Sequence, residues 1–206
     1  MLANLQRLLE TAYRIEPGPD VRSFLLTDPD VAEALAPTAS PRFAREMLLV
    51  RETADSLDLS LYLDADDLAA AEGGEPPGLD GLMRLAEGVS HFVLLTWRAQ
   101  RDLPVSLLEL ELQAEVDKFL IGLISDVSDA EGLIERLFVR TRLREDLSDE
   151  DSRRYRDASS LAHTYCRSLP DRPDEEAMRS LRRFWRFGQR AKVEHIAGLP
   201  AVRIAA

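Results

Sequence analysis

Two helical segments joined by a short proline-bearing loop constrain this chain more than any other feature. Residues 80–101 repeat apolar side chains at helical period, and Pro104 marks the end of that pattern. Ser106 with Glu109 then forms a capping box, the signature of a new helix start. So short a loop makes the two helices antiparallel neighbours. This helical hairpin is expected at the centre of the fold.

Antiparallel packing sets residues at matching heights. Counted from Leu103, His91 and Glu115 lie equally far back and forward, so they should face each other. On the second helix Leu108, Leu112, Glu115, Phe119 and Leu123 follow one stripe, and Glu115 interrupts it where a hydrophobe belongs. Glu111 lies one turn before Glu115. Glu87 lies one turn before His91 on the same helix face. Glu87, His91, Glu111 and Glu115 are therefore expected to converge between the helices.

A buried carboxylate needs a partner. Three arrangements supply one: an internal network in which His91 or an arginine such as Arg84 pairs the acids, a divalent metal held by carboxylates and imidazole, or an acid–base site. Glu109 has a capping role and is placed outside any such site. The single Glu-x-x-x-His spacing differs from the paired Glu-x-x-His of ferritin-like di-iron bundles.

The rest of the chain reads as mostly α with a small β part. The strict alternation of LDLSLYL, residues 57–63, marks a strand with Leu57, Leu59, Leu61 and Leu63 on one face and Asp58, Ser60 and Tyr62 on the other. EMLLVRE, residues 46–52, precedes it across a turn-like TADS, so the two form a β-hairpin whose leucine face must lie on helices. Short helices are expected over 2–15, after the short extended or packed segment VRSFLLTDPD, and from Asp64 as N-cap. The breakers PTASPR and GGEPPG separate these units. Beyond the central hairpin, Ser128 with Glu131 and Ser148 with Asp151 mark further helix starts. Pro170 and Pro173 precede a fifth helix, which Gly188 interrupts. The reading is an N-terminal section, 1–78, and an irregular bundle of five to six helices, 79–206, folding as one cooperative domain.

Composition limits function. With 206 residues and a hydrophobic share of 45%, the chain can bury a real core. No apolar run approaches a membrane span, and the N-terminus has no signal-peptide pattern. One cysteine, Cys166, excludes an intrachain disulfide and a cysteine-rich zinc site. The expectation is a bacterial cytoplasmic protein. Its net charge of −11 disfavours nucleic acid, but from Ala177 onward seven basic residues face one acid. In that tail Arg182, Arg183, Arg186 and Arg190 interleave with Phe184, Trp185 and Phe187. Phe184 and Trp185 fit a core stripe. The four arginines with Phe187 fit a docking surface for a protein partner or a second copy.

A further candidate lies in RDASSLAHTY. Arg156 and His163 are two turns apart on one helix face with Ser159, Ser160 and Arg167, opposite a core face of Tyr155, Ala158, Ala162, Tyr165, Cys166 and Leu169. Arg156, the polar Asp157 behind it and His163-Thr164-Tyr165 resemble the Arg-x(4-6)-His motif of HEPN-type ribonucleases, which are all-helical. That resemblance implies metal-independent RNA cleavage, with Arg156 on the scissile phosphate and His163 as acid or base. Cys166 reads as an inert core residue and His195 as part of a surface turn. No phosphate-binding glycine loop, G-x-S-x-G elbow, H-E-x-x-H pair or helix-turn-helix pattern stands out. The leading expectation is thus a non-catalytic accessory protein, with a metal-binding or acid–base bundle and a HEPN-like nuclease as alternatives.

Overall fold

The computed structural model describes residues 1–36, 45–53, 56–72, 78–140, 147–169 and 175–200. The breaker PTASPR, the tip of the TADS turn, most of GGEPPG, and Pro170 and Pro173 lie outside the described residues.

Helix α1 (Leu2–Tyr13) ends on Arg14 in left-handed conformation, with φ 50°. A 3₁₀ turn (Val21–Phe24) leads into β1 (Leu25–Leu26), and α2 (Pro29–Leu35) starts from an Asp28 cap. Strands β2 (Glu46–Glu52) and β3 (Leu57–Leu63) pair antiparallel, Glu46 opposite Leu63 and Glu52 opposite Leu57. β1 adds a short parallel edge on β3, so the expected hairpin is a three-stranded sheet of order β1-β3-β2. Asp64 accepts from Asp66 N and caps α3 (Ala65–Glu72), as its sequence indicates.

The leucine face of β3 turns to the helices: Leu61 and Leu63 are buried. The opposite face is covered only at its end, where Tyr62 packs with Leu49 and with Ala32 of α2, while Asp58 stays exposed. That small second core explains why β3 tolerates a tyrosine in a polar register.

Helices α4 (Leu79–Ala99) and α5 (Leu107–Ile124) form the expected antiparallel hairpin. Ser106 Oγ accepts from Glu109 N, which confirms the cap. The next helix, α6 (Ala130–Ile134), is capped by Asp129 rather than by Ser128: Asp129 Oδ1 accepts from Gly132 N at 2.8 Å. A single π turn (Glu135–Val139) continues it. Helix α7 (Asp149–Cys166) starts with Ser148 Oγ accepting from Asp151 N. Helices α8 (Glu175–Arg186) and α9 (Gln189–Ala197) break at Gly188. The described residues thus hold nine α-helices, more than the five or six expected, because the N-terminal section contributes three and α9 is separate. Among the described residues no helix is long and apolar enough to cross a membrane.

One apolar core joins residues from Leu2 to Ile196. Helix α5 lies at its middle, between α4 and α7, and is buried on nearly every face. A helix so placed would ordinarily be apolar all round. This one also buries Glu109, Glu111, Gln113, Asp117 and Lys118. Its polar residues must find partners inside the fold, and they do so along two separate stripes.

Candidate functional site

The first stripe is Glu111, Glu115 and Lys118, spaced one turn apart on α5 and facing α4. His91 of α4 is buried, with Nε2 3.6 Å from Glu111 Oε2. Its Nδ1 stands 3.4 Å from Glu46 Oε1, a residue of β2. Lys118 Nζ donates to Glu87 Oε2 at 3.0 Å and to Glu115 Oε1 at 2.9 Å. All four expected residues therefore meet at this seam, joined by Glu46 and Lys118. The register differs from expectation by one helical turn: His91 faces Glu111, and Glu115 pairs with Lys118. Arg84 does not pair these acids, since it forms a bidentate bridge to Asp67 with both bonds at 2.7 Å.

Gly88 is what lets Glu46 arrive. A Cβ there would lie 3.0 Å from Glu46 Cγ and 3.1 Å from both Leu61 Cδ1 and Leu63 Cδ2. The sheet sits directly on the backbone of α4 at this point, one turn before His91. Gly88→Val forces the hairpin outward, and urea denaturation should read a loss of about 1–3 kcal/mol.

The charges at the seam do not balance. Four carboxylates face one imidazole and one ammonium, an excess of two negative charges when all ionise. Burial, together with Glu87 and Glu111, holds Glu46 above the usual carboxylate range, and the same causes raise Glu115. Burial would also raise Glu87, but Lys118 and His91 outweigh it and bring its pKa down. For His91 burial pushes downward, yet Glu111 and Glu46 prevail and lift its pKa well above the ordinary value. Among the described residues, two of the carboxylates and the imidazole keep buried atoms without a hydrogen-bond partner: Glu46 Oε1, Glu115 Oε2 and His91 Nε2. Glu87, His91 and Glu111 each place one potential ligand atom within 4.8 Å of the others.

The second stripe, Glu109, Gln113 and Asp117, is fully buried on another face of α5. Glu109 Oε1 accepts from Arg98, and its Oε2 accepts from Gln189 N at 3.0 Å. Lys192 of α9 donates to Gln113 Oε1 at 2.8 Å, with Glu109 Oε1 3.7 Å away. Gln113 donates to Asp117, which also accepts from Ser90 at 2.6 Å and from Tyr13. Burial pushes Lys192 down to about 8 and raises Asp117. The carboxylate of Glu109 is therefore turned into the core, while Ser106 alone supplies the side-chain cap. Glu109 holds together α4, α5 and the start of α9.

The remaining candidates separate. Arg182 and Arg186 donate to Ala12 O and Tyr13 O, and so satisfy the last carbonyls of α1. Arg183 and Arg190 are exposed, and Arg190 pairs with Glu194 at 2.7 Å. Phe187 is half-buried, and its carbonyl accepts from Arg98. His195 is not in a turn: it sits on α9 among Tyr165, Phe184 and Phe187. Cys166 is buried, and burial raises its thiol pKa, which fits an inert core residue.

Arg156 and His163 lie two turns apart on α7. Both line a cleft of about 330 Å³ together with Ser159 and Ser160. The cleft's inner wall carries Glu115, which links it to the buried seam. The chain matches no protein-family model, and no curated protein or solved structure is significantly similar to it.

Proposed function

We propose that this protein is a divalent-metal-binding helical bundle whose site is Glu87, His91 and Glu111 between α4 and α5, with Glu46 and Glu115 beside it. The observation that carries the reading is the approach of three ligand atoms to within 4.8 Å in a seam with surplus negative charge. Adjacent ligands of an ion bound at about 2.1 Å stand about 3.0–3.4 Å apart. His91 Nε2 and Glu111 Oε2, at 3.6 Å, are near that spacing, and an ion would draw the three ligand atoms closer than the 4.8 Å within which they lie. Imidazole with carboxylates suits manganese, iron or zinc. Lys118 donates to Oε2 of Glu87 and so holds that side chain in place. The ion supplies Lewis acidity, and the raised carboxyl of Glu115 at the cleft wall is placed for proton transfer.

Metal binding must displace a proton from His91. The imidazolium stabilises the metal-free fold below about pH 6.5, and that contribution is lost as pH rises through its raised folded pKa. Manganese affinity therefore rises with pH, by about tenfold per unit while one proton is released. Calorimetric titration at pH 6, 7 and 8 in two buffers of different ionisation enthalpy measures this directly. Glu111→Gln should weaken manganese binding about 100-fold at pH 8. A pH-independent affinity, or an unaffected Glu111→Gln variant, contradicts the proposal.

A second reading has one observation in its favour, the shared cleft of Arg156 and His163. HEPN-like cleavage of RNA would proceed under chelation and fail in His163→Ala. The accessory-protein reading is weaker, because Arg182 and Arg186 are occupied within the chain.

A further inference from the structure

We infer that the cleft between α5 and α7 is a binding site for a small aromatic phosphate monoester. This extends the metal-site reading by naming the ligand class that would approach the ion, while the cleft's own geometry stands apart from the metal.

One face of α7 sets four hydrogen-bonding side chains at i, i+3, i+4 and i+7: Arg156, Ser159, Ser160 and His163. All four line the same cavity. Arg156 lines the cleft, and among the described residues its guanidinium bonds through Nε to Ser152 O at 3.0 Å. His163 Nε2 is shielded from solvent and has no hydrogen-bond partner among the described residues. A wall rich in donors calls for a ligand rich in acceptors. Three terminal phosphoryl oxygens provide these, and a guanidinium recognises them in bidentate fashion.

The second wall is aromatic. Phe138 stacks on His163 with centroids 5.5 Å apart, and Tyr155 lines the same space. A volume of about 330 Å³ falls in the range of small-molecule sites and accepts a six-membered ring bearing a phosphate. Glu115 is the one acid in the lining, and it would repel a phosphate if unpaired. Its Oε1 accepts from Lys118 at 2.9 Å, which offsets part of that charge. Through Lys118 it connects to Glu87 of the proposed metal site, so the cleft and that site share one buried network.

The test uses the full chain and the probe phenyl phosphate, with phenol and diphenyl phosphate as controls, in calorimetric or NMR titrations. One arm contains chelator and the other contains manganese. Phenyl phosphate should bind the chelated wild type with a Kd of about 1 mM or tighter. Arg156→Gln should weaken that by tenfold or more, and Ser159→Ala by several-fold. Arg190→Gln, a surface change elsewhere, should leave it unchanged. Manganese should tighten binding in the wild type but not in Glu111→Gln. Failure of phenyl phosphate to bind in both arms, binding indifferent to Arg156→Gln, or tighter binding of the diester overturns the inference. If manganese itself does not bind but Arg156-dependent binding persists under chelation, the cleft assignment stands and the metal reading falls.

Discussion

Glu109→Ala is expected to lower the unfolding free energy by about 3–5 kcal/mol in urea denaturation, a large share of the stability of a chain this size. Glu109 is 2% exposed and receives Arg98, with Lys192 and the first amide of α9 also against it. Removing the carboxylate leaves a guanidinium and an amine inside the protein without their counterion. Each must then be desolvated unpaired or drag water inward. Glu109→Gln, which keeps a hydrogen-bond acceptor in nearly the same volume, should lose less than the alanine variant. Equal losses would mean that shape rather than charge governs this position.

Trp185→Ala should cost a comparable amount, about 3–5 kcal/mol. Trp185 is 1% exposed and bridges two elements: its ring stacks on Tyr13 of α1 with centroids 5.2 Å apart and meets Trp97 of α4 edge-on at 4.6 Å. The cavity left by its loss opens between three helices. It also removes the anchor that holds Arg182 and Arg186 over the carbonyls of α1. Phe187→Ser, at a half-buried neighbour, should cost less, because the contact of Phe187 with Arg98 runs through its backbone oxygen. Thermal unfolding of the two variants side by side orders the effects.

Much of the architecture is legible from local chemistry. The strands 46–52 and 57–63 are found where the alternating leucines place them, and Ser106 and Ser148 cap their helices. Local chemistry fails where two good caps adjoin: Ser128 and Asp129 both suit an N-terminus, and the choice depends on how α6 meets α5. VRSFLLTDPD reads as a short extended or packed segment, but β1 within it has two residues and pairs only because β3 offers it an edge, so no periodicity could reveal that pairing.

The seam is half legible for a similar reason. Glu87 with His91 and Glu111 with Glu115 follow helix periodicity, and an antiparallel loop brings the pairs together. Glu46 comes from a strand some forty residues away in sequence, and its arrival depends on the bare backbone of Gly88. Lys118 had an overlooked signal. The chain's basic residues are arginine except for Lys118 and Lys192, and those two are the amines the fold buries. A lysine adjusts its charge on burial more readily than an arginine, and each closes one polar stripe of α5. The Glu109 stripe stayed hidden because its first member already had a sufficient explanation as a cap. Gln113 and Asp117 look like solvated positions until α1, α4 and α9 bring Tyr13, Ser90 and Lys192 against them.

The most direct measurement is pulsed electron paramagnetic resonance on the manganese-loaded protein. The nitrogen of His91 should couple to the ion as a single bound imidazole, and that coupling should vanish in His91→Gln while the helical fold persists by circular dichroism. Manganese that shows only water ligands, or a nitrogen signal unchanged by His91→Gln, would contradict a metal site between α4 and α5.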